Sequence, residues 1–261
     1  MLRGLYSSAT GMKAQELLID VTANNLANVN TNGFKRSQVD FADQLYTTLQ
    51  QAGSELSAGQ PAPVGLQVGS GVRPTGTTKL FTPGSIEQTN NPLDIAIQGD
   101  GFFQVLLPNG AERFTRDGAL RMNADGNLVT MDGYALADTV QIPPGSINIV
   151  VARDGMISYT DETGQASTTG PLTLARFPNP AGLSSEGGNL YSQTQASGDP
   201  VVSPPGELGA GMLIGGQLER SNVEVVTEMI GLITAQRAYE INSRAIRAGD
   251  EMLSTTTDIV R

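Results

Sequence analysis

The sequence predicts an α+β protein. Helices at the N- and C-termini pack together as a coiled-coil-like layer, and a mainly antiparallel β domain is inserted between them. Three observations predict it. Apolar residues recur at helical spacing only near the two ends of the chain. Asp-Gly pairs punctuate the middle, with short β-type runs between them. Two stretches, 47–79 and 197–211, are rich in Gly, Pro, Ser, Thr and Gln, a composition expected to resist regular structure.

Positions 2, 5, 9, 12, 16, 19, 23 and 26 hold Leu2, Leu5, Ala9, Met12, Glu16, Ile19, Ala23 and Leu26. All but Glu16 are apolar, and the alternating 3-4 spacing is that of a heptad seam. The stripe runs straight into a cluster of amides, Asn24, Asn25, Asn28, Asn30 and Asn32, within ANNLANVNTNGFK (23–35). Asn is a mediocre helix former and a good turn former. The helix is therefore expected over 2–29, with Asn32 and Gly33 marking its stop. Amides at that turn can satisfy open backbone groups and bond to neighbouring subunits.

At the other end, Ser221-Asn222-Val223-Glu224 has the form of a capping box. The helical pattern then continues to about Ile259, roughly 55 Å if it is one helix. Val225, Met229, Leu232, Tyr239, Ile246 and Leu253 mark one stripe. Ala238, Ile241, Ala245, Ala248 and Met252 mark a second. A helix that is apolar on more than one side has more than one partner. One N-terminal helix covers a single face, so neighbouring copies of the chain are expected to cover the rest.

Between the ends, Asp100, Asp117, Asp125, Asp132 and Asp154 each precede Gly, and Asn109-Gly110 adds a sixth turn. Such pairs favour type I′ hairpins because Gly accepts a positive φ. The runs FFQVLL, ERFTR, ALRMN, NLVTM and YALA alternate with them, and strands are expected again at INIVV, MISYT and LTLARF. The organisation expected is an N-terminal assembly helix (1–36), an extended connector (37–80), a central β-rich domain (81–211) and a C-terminal assembly helix (212–261).

Composition excludes much chemistry. The 261 residues include no Cys, His or Trp. This removes His-based triads, imidazole metal sites, thiol nucleophiles and disulfides. No cofactor, metal or catalytic residue is expected. The acidic neighbours Asp161-Glu162 and Asp250-Glu251 diverge on a strand or a helix and so cannot converge on a glycosidic bond. Calcium repeats need several carboxylates at short spacing, whereas each Asp-Gly turn offers one. GDGFF (99–103) precedes a strand, which is the wrong context for a phosphate-binding loop. The net charge is −10, and all of that excess lies between residues 37 and 217. With no basic stripe, nucleic acid is not expected as a partner. Neither a cleaved signal peptide nor a membrane span is expected.

LYSSATGMKAQ (5–15) and ANNLANVNTNGFKR (23–36) resemble the N-terminal signature of the bacterial flagellar rod and hook family. SNVEVVTEMIGLITAQRAYEINSRAI (221–246) resembles its C-terminal signature. NNPLDIAIQGDGFFQV (90–105), RFTRDGAL (113–120) and DGNLVTMDGYAL (125–136) are similar to its β domain. These motifs span most of the chain in the family's order. Length and the segment 52–94 are most similar to the distal-rod branch, with a proximal-rod or hook-type axial subunit as the alternative.

The resemblance implies a structural subunit, not an enzyme, that is exported unfolded by the flagellar export apparatus and self-assembles into a helical tube. That tube spans the periplasm and acts as a drive shaft from motor to hook. Its implied partners are further copies, other rod proteins proximally, hook protein distally and the surrounding ring proteins. The implied assembly interface comprises Leu5, Ala9, Met12, Ile19, Ala23, Asn24, Asn25, Leu26, Asn28, Asn30, Gly33 and Phe34 near the N-terminus. From the C-terminal helix it takes Val225, Met229, Leu232, Gln236, Arg237, Tyr239, Ile246 and Leu253. Asn24, Asn25 and Asn28 are expected to form inter-element amide bonds in the assembled state, and the terminal helices to be largely disordered in the free monomer. Two other classes compete. A rod-associated cell-wall enzyme would degrade peptidoglycan, and a secreted β-rich adhesin would bind a ligand as an isolated protein.

Overall fold

The computed structural model describes residues 2–53, 55–57, 60–61, 63–138 and 140–259. Among them are two α-helices, α1 (Leu2–Ala27) and α2 (Val225–Ile259), with antiparallel strands between. This is the α+β arrangement predicted. The chain forms two compact units, one of Met1–Leu26, Ser37–Thr78 and Val225–Arg261, the other of Ala27–Arg36 and Lys79–Glu224.

In the first unit α1 and α2 run antiparallel. Gly11 faces Asn242, Leu5 reaches Gly249, and Asn25 meets Glu228. The seam is built from small residues. Ala14, Thr22 and Asn25 are buried on α1, and Ala235 and Gly249 on α2. A methyl on Gly11 would stand 3.0 Å from the Asn242 amide, so the helix backbones approach closely there. Beside them Ser37–Asp43 pairs with Val72–Lys79, and Tyr46–Gln50 with Leu66–Gly69. The stretch 47–79 is thus strand-rich, contrary to the composition-based expectation. Its Thr and Val residues suit strands, and a backbone ladder closes without any apolar alternation to announce it.

The second unit centres on a seven-stranded sheet. Its order is Arg121–Met122, Leu128–Val129, Ala135–Leu136, Phe103–Leu106, Glu112–Thr115, Leu190–Ser192, Ser184–Gly187. Ile95, Phe103, Val105, Leu120, Ile142 and Leu174 are sealed in its core. A three-stranded sheet of Ile147–Val151, Ile157–Thr160 and Ala166–Thr169 adds to it. Every strand run expected from the turns is present, but the turns are not type I′. In four of them the glycine N–H donates to the carbonyl three residues back: Gly110 to Leu107, Gly126 to Asn123, Gly133 to Thr130 and Gly155 to Ala152. In these four only the glycine of the pair takes a positive φ. The Asp or Asn therefore closes an ordinary turn, and the glycine supplies the left-handed residue that follows it. Asp117-Gly118 makes no hairpin. Gly118 lies against the Ile95 carbonyl, where a side-chain carbon would not fit.

The end of α1 and the start of α2 differ from expectation. α1 ends at Ala27, and Thr31 donates through its N–H and its hydroxyl to the carbonyl and side chain of Asn28. Gly33 lies beyond this turn. Its φ of +66° lets the chain pass the Arg116 backbone, which a methyl would meet at 2.7 Å. α2 begins at Val225, after the supposed capping box. Ser221 instead accepts from the Val223 N–H at 3.3 Å, a local turn rather than a cap.

Candidate assembly interface

The α1 stripe read from sequence is not the seam that α2 covers. Counting 100° per residue, it lies roughly 130° around the helix from Gly11, Ala14, Thr22 and Asn25. Ala9, Met12, Ile19 and Leu26 are half-buried, while Ala23 and Asn24 are exposed. Leu5 is the exception, because it reaches α2 at Gly249. On α2, Leu232, Ile246 and Leu253 flank the seam half-buried. Val225, Met229, Gln236, Arg237 and Tyr239 are exposed. The second stripe is barer still, with Ile241 65% and Met252 52% exposed, and Val226, Ile230 and Ile233 also stand out. The small residues fasten the helices to each other and leave the large apolar side chains outside.

The amide cluster divides by role. Asn25 is 1% exposed and bonds in three directions. Its Nδ2 donates to the Ser37 carbonyl at 2.8 Å and to the Glu228 carboxylate at 3.3 Å, and its Oδ1 accepts from the Ser37 N–H at 2.9 Å. One side chain thus joins the end of α1, the first strand and the first turn of α2. Asn28 closes the turn after α1, and Asn30 is exposed. Gly33 and Phe34 are buried in the second unit, where the Lys79 ammonium stands 4.9 Å from the Phe34 ring centre. They serve the chain's own packing.

A charged cluster at the heart of the second unit escaped sequence analysis. Lys35, Arg116 and Glu219 are each no more than 2% exposed. Glu219 Oε1 accepts from Lys35 Nζ at 2.6 Å and from the Gly84 N–H at 2.9 Å, and Oε2 accepts from Arg116 Nε at 3.0 Å. Lys35 also donates to the Thr82 carbonyl, and Arg116 Nη2 to the Gly99 carbonyl, both at 2.8 Å. The Gly33 N–H donates to the Glu219 carbonyl, and the Asn222 side chain accepts from the Arg36 N–H. The segments 33–36 and 219–222, which lead to the two helices, are therefore fastened to one another. Nothing in the spacing announces this, since Glu219 lies 184 residues from Lys35 and 103 from Arg116.

One carboxylate here serves two cations. Burial opposes ionisation of Glu219, but the charges of Arg116 and Lys35, with hydrogen bonds from Lys35 and Gly84, outweigh it and hold the carboxyl below its ordinary range. For Lys35, burial and the like charge of Arg116 outweigh Glu219 and pull the ammonium down to about 8. Burial likewise pushes the neighbouring Tyr191 up to about 12. Among the described residues no group of three or more acidic side chains could hold a metal ion, and no helix is long and apolar enough to cross a membrane.

Known proteins match along the whole chain. Residues 5–35 fit the family model described as "Flagella basal body rod protein", 96–159 "Flagellar hook protein FlgE/F/G D1 domain", and 214–259 "Flagellar basal body rod FlgEFG protein C-terminal". The flagellar basal-body rod protein FlgG of Buchnera aphidicola subsp. Schizaphis graminum is 46% identical over 260 residues, covering 99% of this chain and 100% of that protein. FlgG of Borreliella burgdorferi is 40% identical over 264 residues, and that of Bacillus subtilis 35% over 269, each covering 100% of both chains.

Proposed function

Because this chain belongs to the flagellar basal-body rod protein family, we propose that it is the distal-rod subunit, polymerising with its own copies into the tube that carries torque from motor to hook. It is a structural rod subunit of the flagellar basal body and assembles with other flagellar components. The subunit sits in the periplasmic stretch of the axis, between proximal-rod subunits and the hook, and turns within the ring proteins. It reaches that position through the flagellar export apparatus and does no catalysis.

The observation that supports this reading best is the division of labour on the terminal helices. Small residues hold α1 to α2, and the large apolar residues, Ile241 above all, stand outside that pair. An isolated subunit gains nothing from displaying them, whereas a neighbour's helices would bury them. We assign the α1 stripe from Ala9 to Leu26 and the outer faces of α2 to contacts between copies. The helices within the terminal segments 1–36 and 212–261 then serve assembly, and 81–211 forms the β domain.

Electron microscopy of basal bodies from a strain lacking this gene tests the placement. A rod that stops short in the periplasm, without a hook, is the expected result. A complete rod lacking only its hook moves the assignment outward. A complete rod and hook refutes it.

A further inference from the structure

The second unit contains a cavity of about 270 Å³ walled by Phe81, Phe102 and Phe177, with Arg116, Arg176 and Asp100 also lining it. Its polar chemistry is unfinished. Arg116 is 2% exposed and uses Nε on Glu219 and Nη2 on the carbonyls of Ile97 and Gly99. Its Nη1 has no acceptor among the described residues. Arg176, half-buried, has no ion-pair partner among them either. A buried donor without a partner is rare in a native protein and calls for an explanation.

The local charge has a sign. Lys35, Arg116 and Arg176 stand against Glu219 and Asp100, and both carboxylates are on hand yet neither takes up Arg116 Nη1. Aromatic walls keep the local dielectric low, which strengthens any charge pairing inside. Guanidinium groups match carboxylates by geometry as well as by charge. The chain carries 26 acidic against 16 basic residues, so another copy of it offers carboxylates in excess.

We propose that this cavity is a socket for an Asp or Glu side chain of a second copy of the chain, which completes Arg116 and Arg176. The inference rests on the polymeric role proposed above and adds a specific contact between β domains.

The test is Arg176→Glu in the chromosomal gene. The Arg176 side chain makes no hydrogen bond or ion pair among the described residues, so the purified full chain is expected to keep its thermal midpoint while the cells lose motility and build short rods. Arg176→Lys is expected to swim. Motile revertants of the Glu variant are expected to carry an exposed Asp or Glu changed to Lys or Arg in this same gene. If the Glu variant melts early, Arg176→Gln takes its place and must show the same short rods. Wild-type rods in a folded variant refute the socket, as does a revertant set with no second-site change in this gene. A complete rod and hook in the deletion strain would instead indict the proposed role.

Discussion

Changing Glu219 to Gln takes the single anion from between two buried cations and leaves the shape of the site intact. The amide oxygen can still accept from one of them. The other must become neutral, and Lys35 is the one able to, since its ammonium is already pulled down to about 8. Removing its proton at pH 7, one unit below that value, costs about 1.4 kcal/mol. Replacing charge-assisted hydrogen bonds by neutral ones adds roughly 1.5–3 kcal/mol. The total, about 3–4 kcal/mol, agrees with the usual cost of breaking a buried ion pair from one side. It is a large part of the roughly 5–15 kcal/mol that holds a domain folded. Urea unfolding of the full chain at pH 7 measures it, followed by tyrosine fluorescence because the chain has no Trp. The midpoint should fall with the slope unchanged. Glu186→Gln, which breaks the exposed pair with Arg113, should leave the midpoint in place. A loss under about 1 kcal/mol for Glu219→Gln, the level of a surface pair, would mean that water reaches the cluster, and the reasoning would fail.

Four further outcomes follow from the same geometry. Glu219 ionises more readily in the folded chain than its ordinary value of 4.5, so its contribution is complete above that pH and is lost as pH falls through the folded value. Acid titration should show this loss, and Glu219→Gln should flatten it. Lys35 is displaced downward, so the unfolded chain binds more protons above pH 8 and stability should rise between about pH 8 and 10; Lys35→Met should remove most of that rise in urea midpoints. Asn25→Ala leaves the Ser37 backbone and Glu228 without its amide, and should raise hydrogen exchange at the end of α1 by an opening equivalent to about 1–3 kcal/mol. Ile241→Asp, on the exposed side of α2, should leave monomer stability within about 0.5 kcal/mol yet prevent rod assembly in basal bodies; intact rods would refute the assignment of that face to neighbouring copies.

The terminal helices and the order of the β runs were legible because they depend on local rules. Helical periodicity and glycine after Asp or Asn each act over a few residues, and both survive in the fold with only their details revised. Four of the turns kept their positions while changing type, since in them glycine alone carries the positive φ. Strand content in 47–79 was not legible, because a ladder between distant segments needs only backbone groups. Of the amides, Asn25 looked like its neighbours in sequence. Burial and the approach of Ser37 and Glu228 set it apart.

By itself the sequence determined the class of the protein: apolar stripes at both ends, a turn-punctuated β middle, no residues for imidazole or thiol chemistry, and motifs similar to one family. Which stripe faces inward was decided only in three dimensions. α1 and α2 approach through Gly11, Ala14 and Ala235, where small side chains let backbones come close, and this turns the larger apolar residues outward. The Lys35–Arg116–Glu219 cluster was likewise decided by the fold. Each residue is an ordinary charge along the chain, and only burial makes them depend on one another, since a charge removed from water must find its partner nearby whatever the distance in sequence.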